Sequence, residues 1–511
     1  MNILFSTVSY KDTDDWVNKL LTQIKFNECA VIFYDKAIAT SSEISGYATE
    51  CFFFDKMVYA DYSDFPEYML NAPPVDEHLL NLMAPYQSQI MWMMERCVGR
   101  EYNHRWNDYC KHIRFWNYAL DKLKIDLFVS QVIPHEVFDY IIYVLCKIKG
   151  IKYLGMYQMS YYGMAYFCND IYDHMPYLKK EFEEAKLSFK GRTESDIVLP
   201  PLIEEIYNFY TCGDDRTPYY MKDSDTQLDS FLVAITKRIS CLGSLKLVAQ
   251  NMKRRLRLIA TCLLYCGSFS NVKCFNISEM FYNSDAFRES NMIFQLYQDN
   301  ISQVDYSLSY IYFPLQVQPE LSTSPAGGVY VDQLLVLKML SFYLPKNWVI
   351  YVKEHPKQAE MTAAYHLDSY RSYRFFDEML RVPNVKLVSL DEDTYNLINN
   401  AKAVVTMTGT AGLEAITSGV PCLMFGYSFL QYAPNVYHIR NNEDCEKAIK
   451  SIQFMEKTPE YRKDLKIYFK CLGKYLIDAQ PELGLYTSLK EIEAAKDKLV
   501  QAYYKQIMEQ A

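Results

Sequence analysis

The chain has 511 residues, half of them hydrophobic and 15% aromatic, with a formal net charge of −9. That length exceeds one ordinary core and predicts two or three domains. The acidic balance argues against general nucleic-acid binding, which needs a basic face, and no uninterrupted apolar run is long enough to span a bilayer.

Asn2–Val8 reads as a first strand; it lacks the charged segment and cleavage site of a signal peptide. Residues 16–21 read as helix and 30–33 as a second strand. Residues 77–123 are mostly helical, and 126–130 form a buried strand. Pro134-His135-Glu136 then opens a helix on which Phe138, Ile141, Ile142, Leu145 and Ile148 recur at helical spacing. Gly150 ends it, and 151–155 is the next strand. Strand–helix–strand order predicts a parallel sheet with right-handed crossovers.

The pattern changes from residue 171 to about 300. A charged helix at 177–187 is followed by a polar stretch at 212–226 and a helical run at 244–264. That run holds Lys253, Arg254, Arg255 and Arg257 beside Leu256, Leu258, Ile259, Leu263 and Leu264. A core helix with a solvated basic face is its simpler reading; the sharper one is a rim for peripheral contact with an anionic membrane. The fourteen cysteines, scattered from Cys29 to Cys471 without a CxxC pair, do not form a disulfide framework and point to a reducing cytosol. Cys262 and Cys266 read as two buried thiols on one helix.

Alternation returns with a strand at 309–314, a helix at 331–342 and strands at 348–352 and 385–389. Helix Thr394–Asn400, strand 403–407, helix 411–418 and strand 421–425 follow. The expected organisation is an α/β fold of two Rossmann-like domains facing a cleft. Residues 1–170 form the first domain and 171–300 a mainly helical insertion. Residues 301–442 form the second and 443–511 are C-terminal helices.

Three strings in the second α/β region carry chemistry. In Thr408-Gly409-Thr410-Ala411-Gly412-Leu413-Glu414, Gly409 permits a tight turn, and Thr408 or Thr410 can cap the helix or donate a hydroxyl to phosphate. A helix N-terminus offers unpaired N–H groups and the positive end of a dipole to an anion. Gly412 is read as leaving room for a ligand at the backbone, and Glu414 as accepting hydrogen bonds from ribose hydroxyls. An ordinary strand–turn–helix connection with a solvated Glu414 is the bland alternative. Lys353-Glu354-His355-Pro356 stands just past a strand end, where open α/β sheets bind ligands. An N–H-donating or protonated His355 would stabilise a departing nucleotide, with Lys353 and Lys357 adding charge; His355 and Glu414 are expected to be exposed to the cleft. In the proline-stiffened loop after residue 313, Gln316, Gln318, Glu320 and Thr323 are candidates to line a sugar or acceptor cleft.

In the first region His135, Glu136 and Asp139 lie at an equivalent strand end and are candidates for the base that activates an acceptor hydroxyl. Helix capping by His135 or Glu136 is the plainer alternative. Asp12, Asp14 and Asp15 form a second acidic set, read as a helix cap. Asp391-Glu392-Asp393 superficially fits a metal motif, but is read as the cap of the helix beginning at Thr394, and no metal or cofactor is called for.

Phe313-Pro314-Leu315-Gln316-x-Gln318-Pro319-Glu320, Lys353-Glu354-His355-Pro356 and Thr408–Ala415 with Gly419-x-Pro421 and Gly426 together resemble the bacterial capsule polysaccharide biosynthesis family. The resemblance spans about 309–430, is thinner over 126–170 and does not cover 171–300. It implies a glycosyltransferase-B fold and a nucleotide-sugar donor, CMP-activated ulosonic acids being used by some relatives, with 301–442 as the nucleotide-sugar-binding domain and 1–170 on the acceptor side. It also implies that His355 contacts the nucleotide phosphate, that Glu414 contacts the nucleotide, and that the acceptor is a growing glycan or lipid-linked glycan. The paired-acid-plus-Gly motif of some CMP-sugar enzymes is missing, so base and donor stay open. A nucleotide-sugar epimerase or hydrolase, and a non-catalytic glycan-binding assembly protein, are the rival functions.

Overall fold

The computed structural model describes the chain except residues 9–10, 99–101, 160–162, 213–294, 319, 359–370, 456–459, 484–485, 487 and 511. Two six-stranded sheets organise it. The first contains β1 (Asn2–Val8), β2 (Glu28–Phe33), β3 (Glu50–Phe53), β4 (Leu127–Ser130), β5 (Lys152–Gln158) and β6 (Ala165–Cys168), in the order β3-β2-β1-β4-β5-β6. The second contains β7 (Tyr310–Pro314), β8 (Val349–Lys353), β9 (Val385–Leu387), β10 (Ala403–Thr406), β11 (Cys422–Met424) and β12 (Val436–His438), in the order β12-β11-β10-β7-β8-β9. All neighbours pair parallel except β5 and β6. The expected parallel sheet is found over β1 to β5, and β6, which the sequence reading did not include, adds an antiparallel strand at one edge. The chain turns back directly after β5, with Met159 N–H donating to Met164 O at 2.9 Å, and so short a return can only build an antiparallel neighbour.

Helices cover both faces of each sheet, so the central strands are largely apolar. In β10 every residue is buried, Val405 packing with Leu337 and Ile350 on one face and Val404 with Tyr310 and Ala415 on the other. The helix Val137–Lys149 shows the same logic: Val137 through Cys146 are all buried, because helices Glu77–Val98 and Tyr102–Lys122 cover its outer side. Gly150 ends it at φ 70°, a left-handed conformation that a side chain would strain.

The C-terminal helices pack in three places. Asn442–Gln453 adds Cys445, Ala448 and Ile449 to the core of the second sheet. Glu460–Leu472 packs on helices Leu178–Ser188 and Pro201–Cys212. Leu489–Gln510 returns to the first domain, where Tyr503 stacks on Trp16 at 5.3 Å and donates to Ser130 O at 3.2 Å. The cationic run at 253–264 and Cys262 and Cys266 lie outside the described residues. Among those described, no helix is long and apolar enough to cross a membrane.

Both sheets reverse direction beside their first strand, between β1 and β4 and between β7 and β10. Such a reversal opens a crevice past the carboxyl ends of the strands. The domains meet where Gln89 Nε2 donates to Pro325 O at 2.6 Å and Tyr166 OH accepts the Phe429 N–H at 3.3 Å.

Candidate functional site

A cavity of about 920 Å³ lies at the crevice of the second sheet. Its walls come from the segments that follow β7, β8 and β10, and Tyr157, Gln158 and Met159 at the end of β5 close it from the first domain.

The turn after β10 is built by hydrogen bonds that its own residues supply. Thr406 Oγ1 accepts the Gly409 N–H at 2.9 Å, and Thr408 Oγ1 donates to Ser322 O at 2.9 Å. Gly409 caps helix Thr410–Thr417 but has no side chain to offer its first-turn N–H groups. Gly409, Thr410 and Ala411 line the cavity, so the positive end of this helix faces it. The Gln316 side chain occupies the space that a Cβ on Gly409 would need.

Two expectations fail in this segment. Glu414 lines the cavity but is only 7% exposed, set into the wall rather than open to the cleft. Gly412 does not line the cavity. A Cβ there would stand 2.8 Å from Thr406 Cγ2 and 3.2 Å from Cys422 Sγ, so its glycine lets the helix lie close on β10 and β11.

At the end of β8 three residues take separate tasks. Lys353 is buried, its ammonium donating to Glu392 O at 2.6 Å and Thr394 Oγ1 at 3.1 Å; burial lowers it to about 8. Glu354 faces a buried guanidinium: Arg371 Nε donates to its Oε2 at 2.7 Å. His355 is half-buried in the cavity wall and less open than expected. Burial first, then the charges of Arg371, Lys357 and Lys353, lower it to about 4. Its Nδ1 accepts the Lys357 N–H at 3.1 Å, which leaves Nε2 as the proton-bearing nitrogen. Near neutrality His355 is therefore a neutral imidazole that carries its proton on Nε2.

The loop after β7 divides as well. Gln316 and Glu320 line the cavity, with Ser322 Oγ donating to Glu320 at 3.2 Å. Glu320 is exposed as a residue, yet desolvation of its carboxyl raises it above the usual range. Gln318 and Thr323 do not line the cavity, correcting their assignment to a sugar cleft. Gln318 is 2% exposed, and its amide and backbone bond to Val331 O, Gln333 and Gln358. Thr323 is fully buried and donates to Glu320 O at 3.0 Å.

His135, Glu136 and Asp139 sit at the crevice of the first sheet, as their strand-end position predicts, but none lines the cavity. His135 Nδ1 meets Ile133 O at 2.8 Å, Asp139 accepts the His135 N–H at 3.4 Å, and Glu136 is the N-cap residue of the helix but makes no capping hydrogen bond with its side chain. Asp393 caps helix Thr394–Asn400 by accepting the Asn396 N–H at 2.6 Å, a structural use of the acidic triplet. Sequence reasoning passed over Arg371 and the Tyr157–Met159 wall, because neither stands in a Gly-rich turn or beside a His-Pro pair.

Residues 289–434 match the family model described as capsule polysaccharide biosynthesis protein. No curated protein matches the chain. Among solved structures, the UDP-GlcNAc 2-epimerase from Methanocaldococcus jannaschii shares 10% identity over 93% of this chain and 100% of that one, at a TM-score of 0.24. The beta Kdo 2,7 transferase KpsC from Thermosulfurimonas dismutans shares 11% over 82% and 96%, at 0.29. The N-terminal domain of trehalose-6-phosphate phosphatase from Candida albicans shares 11% over 92% and 93%, at 0.25. Scores this low carry no argument about reaction or substrate. Residues 289–434, which hold the His-Pro turn and the glycine turn, are thus similar to the capsule polysaccharide biosynthesis family.

Proposed function

We propose that the chain is a glycosyltransferase that moves a sugar from a nucleotide-sugar donor to a growing capsule or other surface polysaccharide. The observation that carries this reading is the convergence of an uncapped helix N-terminus and a neutral imidazole donor on one cavity at the sheet reversal. In this scheme the helix Thr410–Thr417 and the His355 Nε2–H receive the phosphate, Thr408 and Thr410 border it, and Glu414 holds the ribose. An acceptor hydroxyl attacks the anomeric carbon as the bond from that carbon to the phosphate oxygen breaks. The proton passes to Glu320, whose raised affinity for protons suits a base. The negative charge left on the nucleotide is met by the helix dipole and His355. His135, Glu136 and Asp139, outside the cavity, have no part in this step. A CMP-linked donor and a lipid-linked acceptor at the cytoplasmic membrane face are the finer forms of the proposal.

The test is stabilisation of the protein by CMP, CDP, UDP and GDP, since a ligand bound only to the folded state raises its melting point with occupancy. At least one should stabilise the wild type and do so less for His355→Ala. Silence from all four removes the nucleotide reading. Incubation with nucleotide sugars and no acceptor separates the rival enzymes: fast epimer formation, or release of free sugar, would replace transfer as the reaction. Unchanged polymer in cells carrying His355→Ala would favour a non-catalytic assembly role.

A further inference from the structure

Arg371 is 2% exposed, and the motifs that mark the cavity do not include it. Its guanidinium spans two walls of that cavity. Toward the segment after β8, Nε donates to Glu354 Oε2 at 2.7 Å and Nη2 to Oε1 at 3.4 Å. Toward the loop after β7, Nη1 donates to Gln318 Oε1 at 2.6 Å and Nη2 to Gln316 O at 2.9 Å. The ring of Phe375 supports it, 4.8 Å from the guanidinium carbon.

Each partner passes the constraint on. Glu354 Oε1 accepts the His355 backbone N–H at 2.7 Å. Gln316 places its side chain against Gly409, at the foot of the uncapped helix. Gln358 bonds to both chain segments, its N–H to His355 O at 2.9 Å and its side-chain amide to Gln318 O at 2.7 Å. Only a planar five-donor fork reaches a carboxylate, an amide oxygen and a carbonyl together; an ammonium does not.

We propose that Arg371 is a positioning residue of the cavity, acting through Glu354 and Gln316 to set the imidazole of His355 at a fixed distance and angle from the N-terminus of helix Thr410–Thr417. Its effect on nucleotide affinity rests on the function proposed above; its effect on His355 does not. A buried ion pair is weak evidence for stability as such, because desolvation offsets the attraction. Such a pair placed across two cavity walls, with its partner carboxylate on the His355 N–H, has a geometric use.

Arg371→Met combined with Glu354→Gln removes both charges at similar volume and avoids leaving either buried alone. Two readouts apply to the full chain. In 15N-histidine spectra near neutral pH, with His355→Gln identifying the signal, wild-type His355 should show the Nε2–H tautomer. The double variant should show the two tautomers mixed. Affinity for whichever of CMP, CDP, UDP and GDP binds the wild type should fall roughly tenfold or more, the loss expected from one displaced charge-assisted hydrogen bond. A folded double variant with an unmixed tautomer and wild-type affinity overturns the proposal. A mixed tautomer in a protein that binds none of the four nucleotides keeps the positioning role and removes the nucleotide function instead. Should the double variant fail to fold, Arg371→Lys, which keeps the charge and loses the fork, takes its place. It should mix the tautomers and weaken binding more modestly. An unchanged tautomer and unchanged affinity in that variant overturn the proposal too.

Discussion

Gly412→Ala separates a ligand-facing glycine from one that serves packing. The added methyl would lie 2.8 Å from Thr406 Cγ2, 3.2 Å from Cys422 Sγ and 3.5 Å from Leu430 Cδ1. Thr406 is β-branched, fully buried and held by the Gly409 N–H, so it cannot turn aside without loosening the turn. Overpacking of this kind costs about 1–3 kcal/mol. The gain in helix propensity from glycine to alanine offsets about 1 kcal/mol. The net expectation is a loss of roughly 1 kcal/mol, read as a melting point lower by about 2–4 °C in a domain of this size. Calorimetry with and without the best-binding nucleotide supplies both numbers. Nucleotide affinity of the folded variant should stay within about twofold of wild type, well under the tenfold that corresponds to 1.4 kcal/mol. Unchanged melting with a tenfold loss of affinity would falsify the packing account and restore Gly412 to the ligand wall.

His355→Ala should retain the fold and weaken nucleotide binding by about 1.5–3 kcal/mol, the range for a hydrogen bond to a charged group, measured by calorimetric titration. Because His355 stays neutral down to about 4, wild-type affinity should show no imidazole step between pH 6 and 7; such a step would contradict its assigned charge state. Gln318→Leu should cost about 1–3 kcal/mol of stability by stranding the Arg371 and Gln333 donors. An effect confined to sugar binding, at unchanged urea midpoint, would return Gln318 to the cleft. Burial lowers four imidazoles, His112 to about 3 and His174, His355 and His438 to about 4, from an ordinary 6.5. The unfolded chain therefore takes up protons first, and stability present above pH 6.5 should fall as the pH drops toward 4. Urea midpoints at pH 7.5, 6, 5 and 4 should decline in that order, and a flat series would refute the burial of these rings.

Local pattern was enough for most of the framework. The runs at 403–407 and 348–352 announce strands buried on two faces, and Gly150 and Gly419 mark helix ends at left-handed φ of 70° and 75°. These features depend on residues a few positions apart, so a single chain read in order contains them. The His-Pro and glycine turns were likewise visible, because a parallel sheet places strand ends at one edge wherever the chain alternates strand and helix. What neighbours each turn was not. Whether Gly412 faces a ligand or Thr406 depends on the rotation of its helix over β10 and β11. Whether Gln318 meets a sugar or Arg371 depends on a partner 53 residues further along. Helix Leu489–Gln510 carries an amphipathic pattern that says it must pack, but nothing in that pattern names β1 and Trp16 as its seat. The strand order brings Tyr157 and His355, from different sheets, to one cavity and leaves His135 outside it. Periodicity specifies which face of an element is apolar; the partner of that face, and so the membership of the site, is chosen by the tertiary packing of distant segments.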